Sequence, residues 1–313
     1  MSAVIRSRPW LLTLIALAVL VAVNTALQPS FVQPSVLQSN LTTFLPLALV
    51  AIGQTYVVLG GDIDLSVGAI AALVNVVTVS TIAAVGGDGV APIVAGLAAG
   101  LVTAVVCGVI NGVLIAVLRL QAIVTTFATG IVFAGTALFV MPQAGLPVPE
   151  AFWRSYSAML LGLPVVLWIL LAGLAFALVL GRRPFVAHLT AVGGSRVGAF
   201  QTGLSLSRVR IGAFVLSALF AGFAALCLTG ETASGDPLLG QSLALSSISA
   251  VVLGGTALSG GSGGPVGSIL GALVLGMIGN VIFFAGLPFA WQTLVQGLIV
   301  LAALAGGVLV TRR

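Results

Sequence analysis

The sequence predicts an all-α fold: a polytopic bundle of about ten transmembrane helices, some short or interrupted, with both chain ends in the cytoplasm. Three observations point there. Hydrophobic residues make up 60% of the chain and charged residues 5%, whereas a soluble domain carries about 25% charged residues. The apolar runs are about 20 residues long, enough for a helix to cross a hydrocarbon core of about 30 Å. The alternation of period two that marks a membrane β-barrel is absent, which leaves helices as the way to satisfy the backbone in lipid.

Taken in order, the apolar runs predict spans at 10–27, 41–60, 65–86, 91–118, 121–141, 158–180, 211–229, 247–259, 265–286 and 289–310. The first follows Arg6 and Arg8 but is long for a signal peptide and has no clear cleavage site after it, so it reads as an uncleaved span. Gly60-Gly61 ends the second span, and the third restarts near Leu65. The run 247–259 is short enough to be a half-span. Small residues four apart, at Gly96/Gly100 and Gly267/Gly271, let helix backbones approach closely in lipid. Cys107 and Cys227 both fall in apolar helical stretches and read as small core residues rather than as a disulfide.

Arginine placement tests this topology. With the N-terminus inside and ten spans, Arg119, Arg182, Arg183, Arg196, Arg208, Arg210 and the four terminal arginines all face the cytoplasm. Only Arg154 lies outside, four residues after Glu150, as the positive-inside rule demands. The chain reads as a single transmembrane domain over 1–313, with the long polar stretch 181–210 as a cytoplasmic loop within it. Pro184 and Gly193-Gly194 would divide that loop into one or two short surface helices. Its arginines serve either lipid headgroups or a docking partner.

All eleven basic residues are arginine. A P-loop needs a lysine on the nucleotide phosphates, so this chain holds no such ATPase site, and lysine Schiff-base chemistry is equally excluded. The glycine-rich run "GGSGGPVGS" is therefore no phosphate loop. His188 stands alone, so a metal site is not expected, and no nucleophile–base–acid set is present. The chain is not expected to be an enzyme.

The chemistry concentrates in "VLGGDIDLSVGAI" at 58–70. A carboxylate in an apolar bundle is capped, paired or wet. Asp64 suits the cap of the restarting helix. Asp62 has three open readings: binding a polyhydroxylated solute, bonding to the loop at 193–210, or holding a water-filled vestibule. Gln54, Thr55, Asn75, Asn111, Thr125, Thr126, Asn280, Gln292 and Gln296 lie inside predicted spans. They either line a path for an uncharged solute or bond helix to helix. Trp10, Trp153 and Trp291 fall near span ends and read as interface anchors. A weak echo of 58–70 appears at 252–269, "VLGGTALSGGSGGPVGSI", from duplication or from chance in a Gly/Val/Leu-rich chain.

Four blocks carry a family resemblance. "GGDIDLSVGAI" resembles the GG-x-DLSVG signature of the ribose-type monosaccharide permeases, the membrane subunits of bacterial ABC importers, which are related to the branched-chain amino acid permeases. "GVINGVLIAVLRLQAIVTT" (108–126) is similar to the family's Asn-Gly helix. "TAVGGSRVGAFQTGLSLSRVRIGAFVLSALFAG" (190–222) resembles its ATPase-docking loop, and "SISAVVLGGTALSGGSGGPVGSILGALVLGMIGN" (247–280) its Gly-rich C-terminal block. The chain departs from the pattern in three places. Ala244-Leu245-Ser246-Ser247 stands where many members have Glu-Leu-Asp, Ser195 stands where an Asn is common, and Asp62 is inserted before Ile63-Asp64. The lost acids fit a subgroup in which two unlike permeases pair.

The resemblance implies a sugar-importing permease of the bacterial inner membrane that works as a homo- or heterodimer with a second permease. Its partners would be two ABC ATPase subunits, which hold the ATP and magnesium, and a periplasmic or lipid-tethered sugar-binding protein. Beyond membrane lipid no other partner is implied, and nucleic acid is not one. The implied signature and path residues are Asp62, Asp64, Ser66, Gly68, Asn111, Thr125 and Asn280; the implied coupling residues are Gly193, Gly194, Ser195, Arg196 and Gly203. Glu150, Glu231 and Asp236 are candidates for docking the binding protein. The rival is a proton-coupled secondary transporter with broken helices that uses Asp62 or Asp64 as relay.

Overall fold

Most helix breaks in this chain contain a glycine or proline, but the turn at 117–121 has neither and passes through Arg119 at φ 60°, and hydropathy alone places the breaks imperfectly. The computed structural model describes residues 10–301 except 88, 289, 292, 296, 299 and 300. Its helices are α1 (Trp10–Leu27), α2 (Pro34–Leu59), α3 (Val67–Val85), α4 (Val90–Ala116), α5 (Ala122–Val140), α6 (Glu150–Ser157), α7 (Val165–Gly181), α8 (Pro184–Gly194), α9 (Arg196–Gln201), α10 (Leu206–Thr232), α11 (Leu243–Leu253) and α12 (Pro265–Phe284). Among the described residues sheet is confined to two-residue strands. β1 (Leu146–Pro147) pairs antiparallel with β4 (Ser234–Gly235), and β2 (Met159–Leu160) pairs with β3 (Leu163–Pro164).

Among the described residues seven helices are long and apolar enough to cross a membrane, or eight if α7 and α8, bent by 74° at Arg182-Arg183, count as one span. The sequence expectation of about ten differs for two reasons. The 247–259 run becomes α11, only 11 residues, or about 16 Å at 1.5 Å per residue. The 289–310 run, like both chain ends, lies largely outside the described residues. Two other spans are longer than predicted. α2 begins at Pro34, and α10 runs from Leu206 to Thr232 through Ser207, Arg208, Arg210 and Glu231. Polar residues stop a hydropathy window but not a helix. α7 instead starts later than predicted, because residues 159–164 form a hairpin turning at Leu161 and Gly162, both at positive φ.

α10 is the central post, packed along α4, α2 and α3. α2 is the most enclosed helix, buried from Phe44 to Leu59 except at Leu47. In lipid there is no hydrophobic drive between helices, so close packing and hydrogen bonds hold the bundle. The glycine pairs serve that packing: Gly96 and Gly100 lie against Thr78 of α3, and Gly267 and Gly271 against Gly254 and Ala250 at the end of α11. A satellite core of small residues, Ala48, Ala51, Ala250, Val251 and Ala272 among them, joins α2, α11 and α12. α1 is peripheral and is tied to α12 by Asn24 Nδ2 donating to the Met277 carbonyl at 3.3 Å. Cys107 and Cys227 are buried free thiols.

The half-span has a local cause. Past α10 the chain turns at Ala233, pairs briefly as β4 and returns beside α3 through consecutive turns at 237–242. Asn75 of α3 donates to Thr229 Oγ1 (2.7 Å) and to the Ser234 carbonyl (3.3 Å), and accepts from the Asp236 N–H (2.7 Å). Farther along α3, Gly68 abuts the Gly240 carbonyl. Depth that a full helix would cross is thus taken up by non-helical backbone, which protein groups rather than lipid must satisfy.

Candidate functional site

The segment between α2 and α3 is where the polar chemistry gathers. α2 ends in a Schellman cap: Gly61 sits at φ +75°, its N–H bonds the Val58 carbonyl (2.9 Å), and the Asp62 N–H bonds that of Val57 (3.1 Å). α11 ends the same way, with Gly255 at φ +82° and the Gly255 and Thr256 N–H groups on Val252 and Val251 (2.9 and 3.1 Å). The echo between "VLGG" at 58–61 and 252–255 is therefore a shared cap. The two caps also meet. Gly261 N–H bonds the Leu59 carbonyl at 3.0 Å, and a Cβ on Gly260 would lie 2.8 Å from Gly61.

α8 closes this junction from outside the bundle. Its Leu189 and Val192 are fully buried. A Cβ on Gly193 would run into the Leu59 carbonyl and lie 2.7 Å from the Gly261 nitrogen. Three backbones therefore touch through Gly61, Gly193 and Gly260. Gly194, next in sequence, has open space where its Cβ would be.

Asp62, 7% exposed, is held by two guanidinium groups. Arg210 of α10 meets it with two bonds, Nε to Oδ2 at 2.7 Å and Nη2 to Oδ1 at 2.9 Å, and donates Nη1 to the Ile115 carbonyl at the end of α4 (3.2 Å). Arg196, the first residue of α9, donates Nη2 to Asp62 Oδ1 (2.9 Å) and to the Gly61 carbonyl (3.2 Å). The bond to the 193–210 loop, one of the three sequence readings of Asp62, is present. Two-pronged arginine–carboxylate pairs fix orientation as well as energy. They also repay the cost of burying the charges only while both partners remain.

Asp64 is fully buried and faces a different network. Its Oδ1 accepts from the Ser66 N–H (2.9 Å) and hydroxyl (2.6 Å), and its Oδ2 from Ser217 Oγ of α10 (3.0 Å). Ser66, at the N-cap position of α3, accepts in turn from Asn111 Nδ2 of α4 (2.8 Å). Asn111 Oδ1 accepts from Thr129 Oγ1 of α5 (2.6 Å). Thr126 accepts from the Leu65 N–H at 3.0 Å. The break is thus cross-linked to α4, α5 and α10 by a chain of satisfied polar groups, which rigidifies a low-dielectric site.

The structure brings Asp62, Asp64, Ser66, Gly68, Asn111, Gly193 and Arg196 to this one end of the bundle. Ser195 caps α9, accepting from the Gly198 N–H at 3.1 Å, and Gly203 turns the chain toward α10 at φ +81°. Thr125 stands apart: among the described residues its hydroxyl donates only to the carbonyl of Gln121, the N-cap of α5 (2.8 Å). Asn280 lies toward the opposite end, donating to Asn40 Oδ1 at 3.0 Å. The three candidate docking acids are also at that end. Glu150 pairs with Arg154, Glu231 accepts from Thr43 Oγ1 (3.2 Å), and Asp236 Oδ1 accepts from the Leu238 N–H (2.8 Å). Gln292 and Gln296 lie outside the described residues. Sequence reasoning missed Arg210, Thr126's contact with the break, Thr129 and Ser217. An arginine between Val209 and Ile211 in so uncharged a chain pointed to Arg210, and Thr126 stood among the polar residues inside predicted spans; nothing pointed to Thr129 or Ser217. Among the described residues no three His, Cys, Asp or Glu side chains gather as a metal site.

Residues 36–304 match the family described as branched-chain amino acid transport system / permease component. The ribose import permease protein RbsC of Bacillus subtilis (strain 168) is 36% identical over 293 residues, which cover 92% of this chain and 89% of that protein. RbsC of Escherichia coli (strain K12) is 31% identical over 308 residues, covering 95% and 94%. The L-arabinose ABC transporter permease protein AraH of Azospirillum brasilense is 31% identical over 287 residues, covering 91% and 83%. No solved structure matches the chain significantly.

Proposed function

The chain belongs to the permease-component family of ABC importers, in its ribose-type sugar branch, and from that premise we propose that it carries a monosaccharide or similar polyol across the bacterial inner membrane, driven by separate ATPase subunits. ATP and magnesium belong to those partners. A sugar-binding protein delivers the solute, and a second permease completes the path.

One observation carries this reading: the loop that resembles an ATPase-docking segment is bonded directly to the broken helix pair. Arg196 reaches Asp62 and the Gly61 carbonyl, and Gly193 abuts Leu59. A push on α8 and α9 therefore arrives at the α2–α3 break without passing through a flexible linker. From there the Ser217–Asp64–Ser66–Asn111–Thr129 chain spreads it to α10, α4 and α5. The path opens when these helices shift relative to a second permease.

The distribution of charge supports one orientation. Arg119, Arg182, Arg183, Arg196, Arg208 and Arg210 gather at the end that holds the break, and Arg154 is at the other. This bias supports a cytoplasmic break, with Glu150, Glu231 and Asp236 on the outer face toward the binding protein. The chain ends would both be inside.

Vesicles containing the complex test the proposal: sugar uptake requires ATP hydrolysis. A proton-coupled transporter would instead run on a pH gradient alone. The geometry offers that rival little support, since Asp62 is fixed by two guanidinium groups and both Asp64 oxygens accept hydrogen bonds.

A further inference from the structure

Beside the break lies a cavity of about 800 Å³, lined by Arg119, Arg196 and Arg210 together with Asp62. Three guanidinium groups face one carboxylate, so two positive charges in the lining are uncompensated. Arg196 and Arg210 are engaged with Asp62. Arg119, in the turn between α4 and α5, makes no hydrogen bond or ion pair to any described residue. The Ser205 hydroxyl, at the start of α10, does not cap its helix.

Apart from Gln121, Ser205 and Ser207, the other side chains of the lining are apolar, and several of them are open. Phe200 is 69% exposed, Leu120 47% and Ile123 44%. The cavity also sits at a defined depth. α4 ends at Ala116, α5 begins at Ala122 and α10 begins at Leu206, so its walls are the ends of membrane-length helices, where lipid headgroups lie. A free phosphate gains from the arginines but not from an apolar rim. A phosphate that carries acyl chains gains from both, and basic pockets between helices at this depth bind anionic headgroups.

We infer that the cavity framed by Arg119, Arg196 and Arg210 binds the phosphate of an anionic phospholipid, with its acyl chains over Phe200, Leu120 and Ile123. The bound lipid faces the same arginines that hold Asp62, so the lipid composition of the membrane acts on the break. The site does not depend on which compartment this end faces, so its test is separate from that of the transport reading.

Native mass spectrometry of the full-length purified chain, alone and together with any subunits that co-purify, after incubation with equal amounts of phosphatidylglycerol and phosphatidylcholine, reads the site. The wild type retains phosphatidylglycerol preferentially. Arg119→Asn, which tolerates the left-handed backbone at this position (φ 60°), lowers that retention by about fivefold, the weight of one arginine near an anionic lipid surface. Phe200→Ser, which keeps every charge, lowers it too. Equal retention in wild type and Arg119→Asn overturns the inference. So does full displacement of the lipid by inorganic phosphate, which marks a free-anion site. Loss of the lipid whenever ATPase subunits are bound also overturns it, because the pocket then belongs to an acidic surface of the partner.

Discussion

Arg210 and Asp62, 148 residues apart in sequence, form a buried two-pronged ion pair at 2.7 and 2.9 Å that joins α10 to the end of α2. Removing one partner leaves a charge buried with half its compensation, a loss of about 3–5 kcal/mol. Arg210→Met should therefore lower the thermal stability of the purified protein sharply. Asp62→Leu in the Arg210→Met background should recover part of it, because replacing both charges is far less costly than orphaning one. Additive losses in that double-mutant cycle would show that the two side chains act separately.

Arg196 is the exposed arm of the same cluster, with about half its side chain in solvent. Arg196→Glu should leave insertion and folding intact, since little packing is lost, but it sets a second carboxylate against Asp62. Sugar-stimulated ATPase activity of the complex should fall by tenfold or more, about 1.4 kcal/mol of lost coupling. Normal stimulation would remove Arg196 from the transmission path.

Gly193 and Gly194 are neighbours with opposite constraints. Gly193→Ala drives a methyl into the Leu59 carbonyl, whereas Gly194→Ala enters open space. Overpacking of this kind costs about 1–3 kcal/mol. Thermal unfolding should separate the two variants, Gly193→Ala losing several degrees and Gly194→Ala almost none. Matching losses would mean that α8 does not rest on the break as described.

Asp64 acts as an acceptor. Asp64→Asn keeps one oxygen for the Ser66 N–H, while Asp64→Leu leaves that buried donor and Ser217 unpaired, at about 1–3 kcal/mol for each orphaned group. Asparagine should therefore be the milder change in both stability and uptake. Equal and complete loss of uptake in both variants would mean the charge itself is required.

Most of the spans were legible because a run of about 20 apolar residues matches the thickness of a bilayer and little else. The start of α2 at Pro34 and the length of α10 were not, because hydropathy reports what contacts lipid rather than what is helical. The glycine pairs at 96/100 and 267/271 were readable from spacing alone. Thr125 and Thr126 looked equivalent in sequence, and only the helix rotation turns Thr126 toward Leu65. Arg210's role was hidden for a related reason. An ion pair across 148 residues leaves no local pattern, and Asp62 offered three readings until the fold brought the 193–210 loop against it.

Energy transfer from α8 and α9 to the α2–α3 break is the central claim, and ATP-dependent uptake tests it most directly. The purified complex is placed in vesicles with ATP inside and loaded sugar-binding protein outside, and labelled sugar is counted. Uptake should require ATP hydrolysis, be unaffected by collapsing the pH gradient, and fall together with ATPase stimulation in Arg196→Glu. Uptake driven by a pH gradient without ATP, and unchanged in Arg196→Glu, would contradict the account.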